Sequence, residues 1–276
     1  DYVYDDFVIE IIAAPPAPQP TEPPEYCEGS VPTRITVTRS HPQGIIRWYS
    51  NESLTNLLYT GTSYRHNRTA PGTYNYWVTE TSGQNGCVSP ATHITLIIRP
   101  EIENNSIGSA QSICYNTDPA NLTGSLPRGG IESFAYQWEF STTSSTSGFS
   151  AAPGTSTLRN YDVPGPLTQT TWYRRVVISG PCRDVSNVIR VLVYADLNPG
   201  TVTSAQTICY NTAPATLTTG TAPSGGTGSY TYQWEVSTNG TSWNTISGAT
   251  QSSYSPPALT ANRYYRRIVT SGSCGS

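Results

Sequence analysis

An all-β chain of three tandem sandwiches is what this sequence predicts, and three observations predict it. The first is self-similarity. "SAQSICYNTDPANLTG" at Ser109 recurs as "SAQTICYNTAPATLTTG" at Ser204, "YQWEFST" at Tyr136 as "YQWEVST" at Tyr232, and "WYRRVVISGPC" at Trp172 as "YYRRIVTSGSC" at Tyr264. The second is local patterning. Short runs of Val, Ile, Thr, Tyr and Trp alternate with Gly, Pro, Ser and Asn punctuation, as strands alternate with turns. No window carries a helical stripe, and Pro and Gly break most candidates. The third is cysteine spacing. The separations alternate long and short. Cys27 to Cys87, Cys114 to Cys182 and Cys209 to Cys274 are long and of similar length, while Cys87 to Cys114 and Cys182 to Cys209 are short and identical.

In chain order, residues 1–14 read as a strand without a body. Val8-Ile9-Glu10-Ile11-Ile12 aligns with Val188-Ile189-Arg190-Val191-Leu192, the expected last strand of a later repeat, and both precede a short Ala/Pro-containing connector. Residues 15–25, "PPAPQPTEPPE", are dense in proline and read as a semi-rigid polyproline II spacer. Residues 26–100 form a first domain with Cys, Trp strand, Tyr strand, Cys and a final apolar strand in that order. Its markers are "YCEGS", "GIIRWYS", "GTYNYWVTE" and "GCVSPATHITLIIRP". Residues 101–196 form the second, with strands expected near 121–123, 134–141, 156–161, 170–179 and 185–194. Residues 197–276 form the third, which lacks its last strand. Trp138 and Trp234 are expected in the cores, with Tyr173 and Tyr265 on the neighbouring strand. The offset from Cys114 to Cys209 is close to the size of one immunoglobulin-like sandwich, about 100 residues. The expectation is therefore three such sandwiches in an extended rod, with an orphan N-terminal strand.

Six cysteines without a CxxC or Cys/His cluster argue for disulfides rather than zinc. One bridge per domain is the economical pairing: Cys27 with Cys87, Cys114 with Cys182, Cys209 with Cys274. Each second cysteine follows the Tyr strand, so each bridge is expected to staple one end of its sandwich. Closing loops of that length is worth about 4 kcal/mol each in the chain-entropy account and implies an oxidising compartment. Lysine is absent, which excludes Lys–Asn isopeptide cross-links.

Charged residues are 12% of the chain and the net charge is −3, which disfavours a nucleic-acid surface. No apolar run approaches the roughly 20 residues of a membrane span. His41, His66 and His93 have no Cys or Ser arranged for a triad. Asp5 and Asp6 are adjacent on a strand and so face opposite ways, a poor acid/base pair. Asp162, Asp184 and Asp196 lie near loops without a DxDxDG pattern. No catalytic residue, metal or cofactor is expected. One Arg of each doublet, Arg174-Arg175 and Arg266-Arg267, is expected to pair with Glu139 or Glu235 across the strands.

The stretch from "AQTICYNTAPATLTTG" through "YQWEVSTNGTSW" to "YYRRIVTSGSC" resembles the tandem immunoglobulin-like or PKD-like repeats of very large cell-surface proteins in Bacteroidota, including gliding and attachment adhesins. "GTYNYWVTETSGQNGC" resembles another module of the same proteins. The likeness covers about residues 21–276. It implies an extracellular, cell-surface location and export by type IX secretion.

The third domain's missing strand and the bodiless strand at the start leave three arrangements open. Phe7, Val8, Ile9, Ile11 and Ile12 of one molecule complete the third domain of the next, as a head-to-tail donor strand. Alternatively the chain is a window on a longer covalent array, or the strand folds back on its own third domain. The start at Asp1 reads as a processed or trimmed chain. The function expected is a structural or adhesive extracellular protein, the repeating unit of a bacterial surface filament or stalk. Its partners are copies of itself, with glycans or host and abiotic surfaces as further ones. The competing class is a carbohydrate-binding array of a secreted protein.

Overall fold

The structure, a computed structural model, describes residues 7–21 and 25–274, and all regular structure among them is strand. The first repeat contains β1 (Gln19–Pro20), β2 (Glu25–Cys27), β3 (Arg34–Thr38), β4 (Ile45–Tyr49), β5 (Leu57–Thr60), β6 (Ser63–Arg65), β7 (Gly72–Thr81) and β8 (Thr92–Arg99). They form sheets ordered β2-β8-β7-β4-β5 and β1-β3-β6. Strand periodicity turns Ile94, Leu96 and Ile98 of β8 inward. There they pack with Val37, Ile46, Trp48, Tyr76 and Val78. The Trp48 Nε1–H donates to Gly61 O at 2.8 Å, so burial of the ring leaves its polar atom satisfied.

The second repeat contains β9 (Ile107–Gly108), β10 (Gln111–Ile113), β11 (Thr123–Gly124), β12 (Ala135–Ser141), β13 (Ser150–Ala151), β14 (Thr171–Ser179), β15 (Cys182–Val185) and β16 (Ile189–Val193). Its main sheet runs β10-β16-β14-β12-β13, with β15 also on β14 and β9-β11 as a separate ribbon. Trp138 is fully buried and stacks on Tyr161 at 5.6 Å. Burial pushes the Tyr161 phenol up to about 12, reinforced by Asp162, and its hydroxyl donates to Pro153 O at 2.7 Å.

The third repeat contains β17 (Ala195–Asn198), β18 (Thr201–Val202), β19 (Thr219–Thr221), β20 (Ser224–Gly226), β21 (Thr231–Ser237), β22 (Asn244–Thr245) and β23 (Tyr264–Thr270). They pair as β17-β20, β18-β19 and β22-β21-β23. The chain as a whole divides into two compact units. One takes in the first repeat to Asn104 with Leu126–Ala135 and Val177–Asp184; the other takes in Asn105–Ser125, Tyr136–Val176 and the remainder from Val185.

The all-β, immunoglobulin-like expectation stands, with local corrections. Residues 156–161 are not a strand; Tyr161 alone bridges to Leu122, and Ser156 N–H turns back onto Gly154 O. The expected strand 185–194 is split, because the Asn187 side-chain amide occupies both backbone groups of Ile107 and replaces a ladder there. Part of the expected spacer is docked: Pro15 and Pro18 are buried, and Gln19 and Pro20 pair with Thr38 and Val37. Proline suits that edge position because it has no N–H to leave unpaired.

The arginine doublets divide their roles. Arg174 Nε meets Glu139 Oε2, and Arg266 Nε meets Glu235 Oε2, each at 2.6 Å, as partly exposed cross-strand pairs. Arg175 is fully buried. Its guanidinium donates to Asn105 Oδ1, Arg159 O and Ser125 O at 2.9 to 3.0 Å. A Cβ on Gly124 would collide with this guanidinium, which explains a glycine there.

Arg175→Met should lower the unfolding free energy by about 3 kcal/mol, since acceptors of a buried charge are left unpaired, while Arg174→Met should cost less than about 1 kcal/mol. Denaturant titration followed by Trp fluorescence reads both. A second expectation concerns acid. Burial, with Arg68 nearby, lowers the His66 pKa against the opposing effect of a Pro32 backbone hydrogen bond. Burial pushes Glu80 up, but the Ser40 and His41 N–H groups and the Ser40 hydroxyl outweigh it, and the net shift is downward. Both groups bind protons better when unfolded. Their stabilisation is full above the unfolded values and is lost as pH falls, His66 below about 6.5 and Glu80 below about 4.3. Denaturation midpoints at pH 7.5, 5.5 and 4 should fall in that order, and His66→Gln should flatten the first step.

Candidate functional site

In the second repeat β16 lies between two partners. It runs parallel to β10, with Gln111 opposite Val191 and Ile113 opposite Val193, and antiparallel to β14, with Thr171 opposite Val191 and Tyr173 opposite Ile189. Ile189, Val191 and Val193 fill the core. The first repeat repeats this arrangement, with β8 parallel to β2, where Cys27 faces Arg99, and antiparallel to β7.

In the third repeat, among the described residues, that position is open. Strand β23 pairs with β21 and with no strand on its other edge. A cleft of about 750 Å³ runs there, lined by Gln206, Ile208, Cys209, Leu259, Tyr264 and Tyr265 among others. Gln206 to Ile208 repeats the sequence position of Gln111 to Ile113, so the cleft lies between the counterparts of β10 and β14. Consequences reach the core. Tyr173 is 2% exposed, whereas its counterpart Tyr265 is only half-buried. Trp172 and Ile113 are half-buried, whereas their counterparts Tyr264 and Ile208 are 52% and 37% exposed. The first two repeats each bury a contiguous apolar cluster. In the third, Trp234 and Val269 are buried, with most of the surrounding side chains only partly covered.

The expected intersubunit residues show the complementary condition. Phe7, Val8, Ile9, Ile11 and Ile12 are 83, 93, 77, 93 and 47% exposed, and they belong to no strand. Their alignment extends further than the five apolar positions. Ala13 falls on Val193 and Ile98, and Pro15 falls on Pro100. Ile9 and Ile11 then correspond to Ile94 and Leu96, and Glu10 to the exposed Arg190.

The cysteines are paired differently from the expectation. Cys27 bonds Cys182 and Cys114 bonds Cys274, with Cα separations of 4.9 and 5.3 Å, and Cys87 and Cys209 are free thiols. The reason is strand length. Cys114 follows Ile113, which faces Val193, at the Thr171 end of β14; Cys182 follows the Ser179 end. At ~3.3 Å per residue these ends are roughly 25 Å apart, far beyond disulfide reach. The first cysteine of the first repeat and that of the second each pair instead with the second cysteine of the following repeat. The signal was present in the sequence, since the two cysteines of a repeat flank the Tyr strand at opposite ends. The order of cysteines alone does not reveal it.

The remaining sequence candidates are scattered. His66 is buried, and His93 Nε2 contacts Asn75 Oδ1 at 2.9 Å while its ring stacks on Trp77. His41 lies by Ser40 and Glu80. Asp5 and Asp6 fall outside the described residues.

Comparison with known proteins finds two family matches. The family described as "Domain of unknown function (DUF8696)" matches residues 103–195 and again 198–276. "Ig-like domain CHU_C associated" matches residues 15–100. No curated protein matches. Similar solved structures include murine CEACAM1b, 14% identical, over 64% of this chain and 98% of that one, with a TM-score of 0.33. Domains A168–A170 of titin are 14% identical over 86% of this chain and 85% of theirs, TM-score 0.35. Fibronectin(III)-like modules of Clostridium thermocellum CbhA are 10% identical over 64% of this chain and 94% of theirs, TM-score 0.38.

Treating the folded, non-reduced monomer, kept dilute so that copies stay apart, with a maleimide should add two adducts, at Cys209 and Cys87, and reduction in denaturant should raise this to six. Intact-mass and peptide mapping decide it; native labelling of Cys27 or Cys114 would contradict the staggered pairing.

Proposed function

From the premise that the chain belongs to the DUF8696 family across its second and third repeats, we propose that it is the repeating subunit of an extracellular fibre. Residues 7–12 of one copy enter the open groove of the third repeat of the next. The observation that carries this reading is an open strand position in one repeat matched by an exposed, unpaired run of the same inward pattern elsewhere in the chain.

Physical chemistry favours filling the position. Transfer of Val8, Ile9, Ile11 and Ile12 from water is worth roughly 5–10 kcal/mol as an upper figure. Backbone pairing on both sides would satisfy the free edge of β23, which is otherwise a template for uncontrolled association. Ordering the strand costs about 1–2 kcal/mol per residue. The contact is heterologous, so it propagates rather than closing a dimer. Immunoglobulin-like repeats and disulfides fit an extracellular structural or adhesive protein. The resemblance to Bacteroidota adhesin repeats supports the cell surface as its place and type IX secretion as its route. Its role is mechanical. Strands of successive copies would be loaded along their length, with glycans or abiotic surfaces engaged by the exposed loops.

Light scattering should show the full chain growing into long oligomers with concentration. Deleting residues 1–12, or introducing Ile9→Asp with Ile11→Asp, should leave monomers whose circular dichroism is unchanged. Polymers that persist without those residues would sink the reading. So would a denaturing, reducing mass of native fibres far above 29.8 kDa, which would mean that the groove is filled by further residues of one longer polypeptide.

A further inference from the structure

We propose that the joint between successive copies is sealed by a disulfide from Cys209 of one copy to Cys87 of the next. This rests on the donor-strand reading above and adds to it a covalent bond.

The staggered pairing supplies the first argument. The two bridges join the first cysteine of one repeat to the second cysteine of the following one, Cys27 to Cys182 and Cys114 to Cys274. Among the described residues the same rule leaves two thiols unmatched. Cys209 is the first cysteine of the third repeat and Cys87 the second cysteine of the first repeat, and both are free. They are the two halves of one further step of the series.

Position supplies the second argument. A first cysteine stands where its repeat's last strand exits: Cys27 faces Arg99 at the end of β8. Cys209 stands at the matching place, lining the open groove directly after Ile208. A second cysteine stands over the chain just beyond the preceding repeat's last strand. Cys182 Sγ is 3.3 Å from the carbonyl O of Pro100, and Cys27 Sγ is 3.9 Å from the same oxygen. Cys87 Sγ is 3.9 Å from the carbonyl O of Ile12, the last residue of the 7–12 run and three residues ahead of Pro15, the counterpart of Pro100. A strand of residues 7–12 seated in the groove would thus arrive with Cys87 at its exit end, beside Cys209. Cys209 is exposed and Cys87 half-buried, so both can be reached before the joint closes.

The chemistry balances as an exchange. A disulfide-bearing oxidant, small or protein-borne, is attacked by the thiolate of Cys209, giving a mixed disulfide and releasing one thiol. The Cys87 thiolate attacks the Cys209 sulfur, forms the Sγ–Sγ bond and expels the second thiol. Two cysteine thiols are oxidised by two electrons, and the oxidant's disulfide is reduced to two thiols. The oxidising compartment that forms the two internal bridges supplies the same class of oxidant.

The test is assembly of the full chain in a glutathione redox buffer, followed by non-reducing denaturing electrophoresis. Wild type should give a ladder of multiples of 29.8 kDa that collapses to one band on reduction. Cys87→Ser or Cys209→Ser alone should abolish the ladder while light scattering still shows assembly. Mixing the two single variants should give a covalent dimer and nothing larger, because each contributes one thiol. Peptide mapping should find Cys209 joined to Cys87. Assembly without a ladder, or bridges of Cys209 to Cys209 or Cys87 to Cys87, would overturn the inference and leave the donor strand standing. Absence of both assembly and ladder would overturn the two together.

Discussion

The closing strand of each complete sandwich is held on both of its edges. In the second repeat Val191 faces Gln111 on a parallel neighbour and Thr171 on an antiparallel one, and its side chain is fully buried between the sheets. One strand therefore supplies two ladders of backbone hydrogen bonds and three inward side chains. In the first repeat β8 does the same through Ile94, Leu96 and Ile98. Where this strand is present, Trp48 and Trp138 sit in continuous apolar clusters. Where the described residues leave the position open, Trp234 is still buried, but Tyr264 and Ile208 face solvent. The contrast between repeats of similar sequence isolates the contribution of a single strand.

The same geometry governs the disulfides. The first cysteine stands at the exit of the closing strand and the second at the far end of the Tyr strand, so no bridge can form inside one repeat. Each bridge instead spans 155 or 160 residues of sequence and fastens one repeat to the next beside the connection between them. Loop closure of that size is worth about 5 kcal/mol in the chain-entropy account, little more than for the shorter loops, since the cost grows only logarithmically. Each bridge adds a covalent link between segments of successive repeats.

Buried polar groups mark where the repeats differ in completeness. In the second repeat Arg175 is fully enclosed, with acceptors for its guanidinium from three separate segments. Its counterpart Arg267 reaches Thr219, Ser252 and Pro199 but leaves its buried Nε without a partner. The sequence motif is shared, and the difference lies in how much structure surrounds it.

Much of the fold was legible in the residues. Repeated "YQWE" and "YRR" segments set the strand order, alternation in "THITLIIR" and "VIRVLV" set which side chains turn inward, and glutamate opposite arginine set the cross-strand pairs. These are short-range properties, determined by backbone periodicity and nearest-strand register. The exposed "FVIEII" run and the open strand position were also visible as an apolar pattern present in one place and absent in another. What only the tertiary structure decided was which cysteines meet, which arginine of each doublet is enclosed, that Asn187 replaces a stretch of ladder, and that Pro15 to Pro20 dock rather than hang free. Each depends on distances between segments far apart in sequence. A pairing rule based on cysteine order carries no information about the roughly 25 Å length of a strand lying between them.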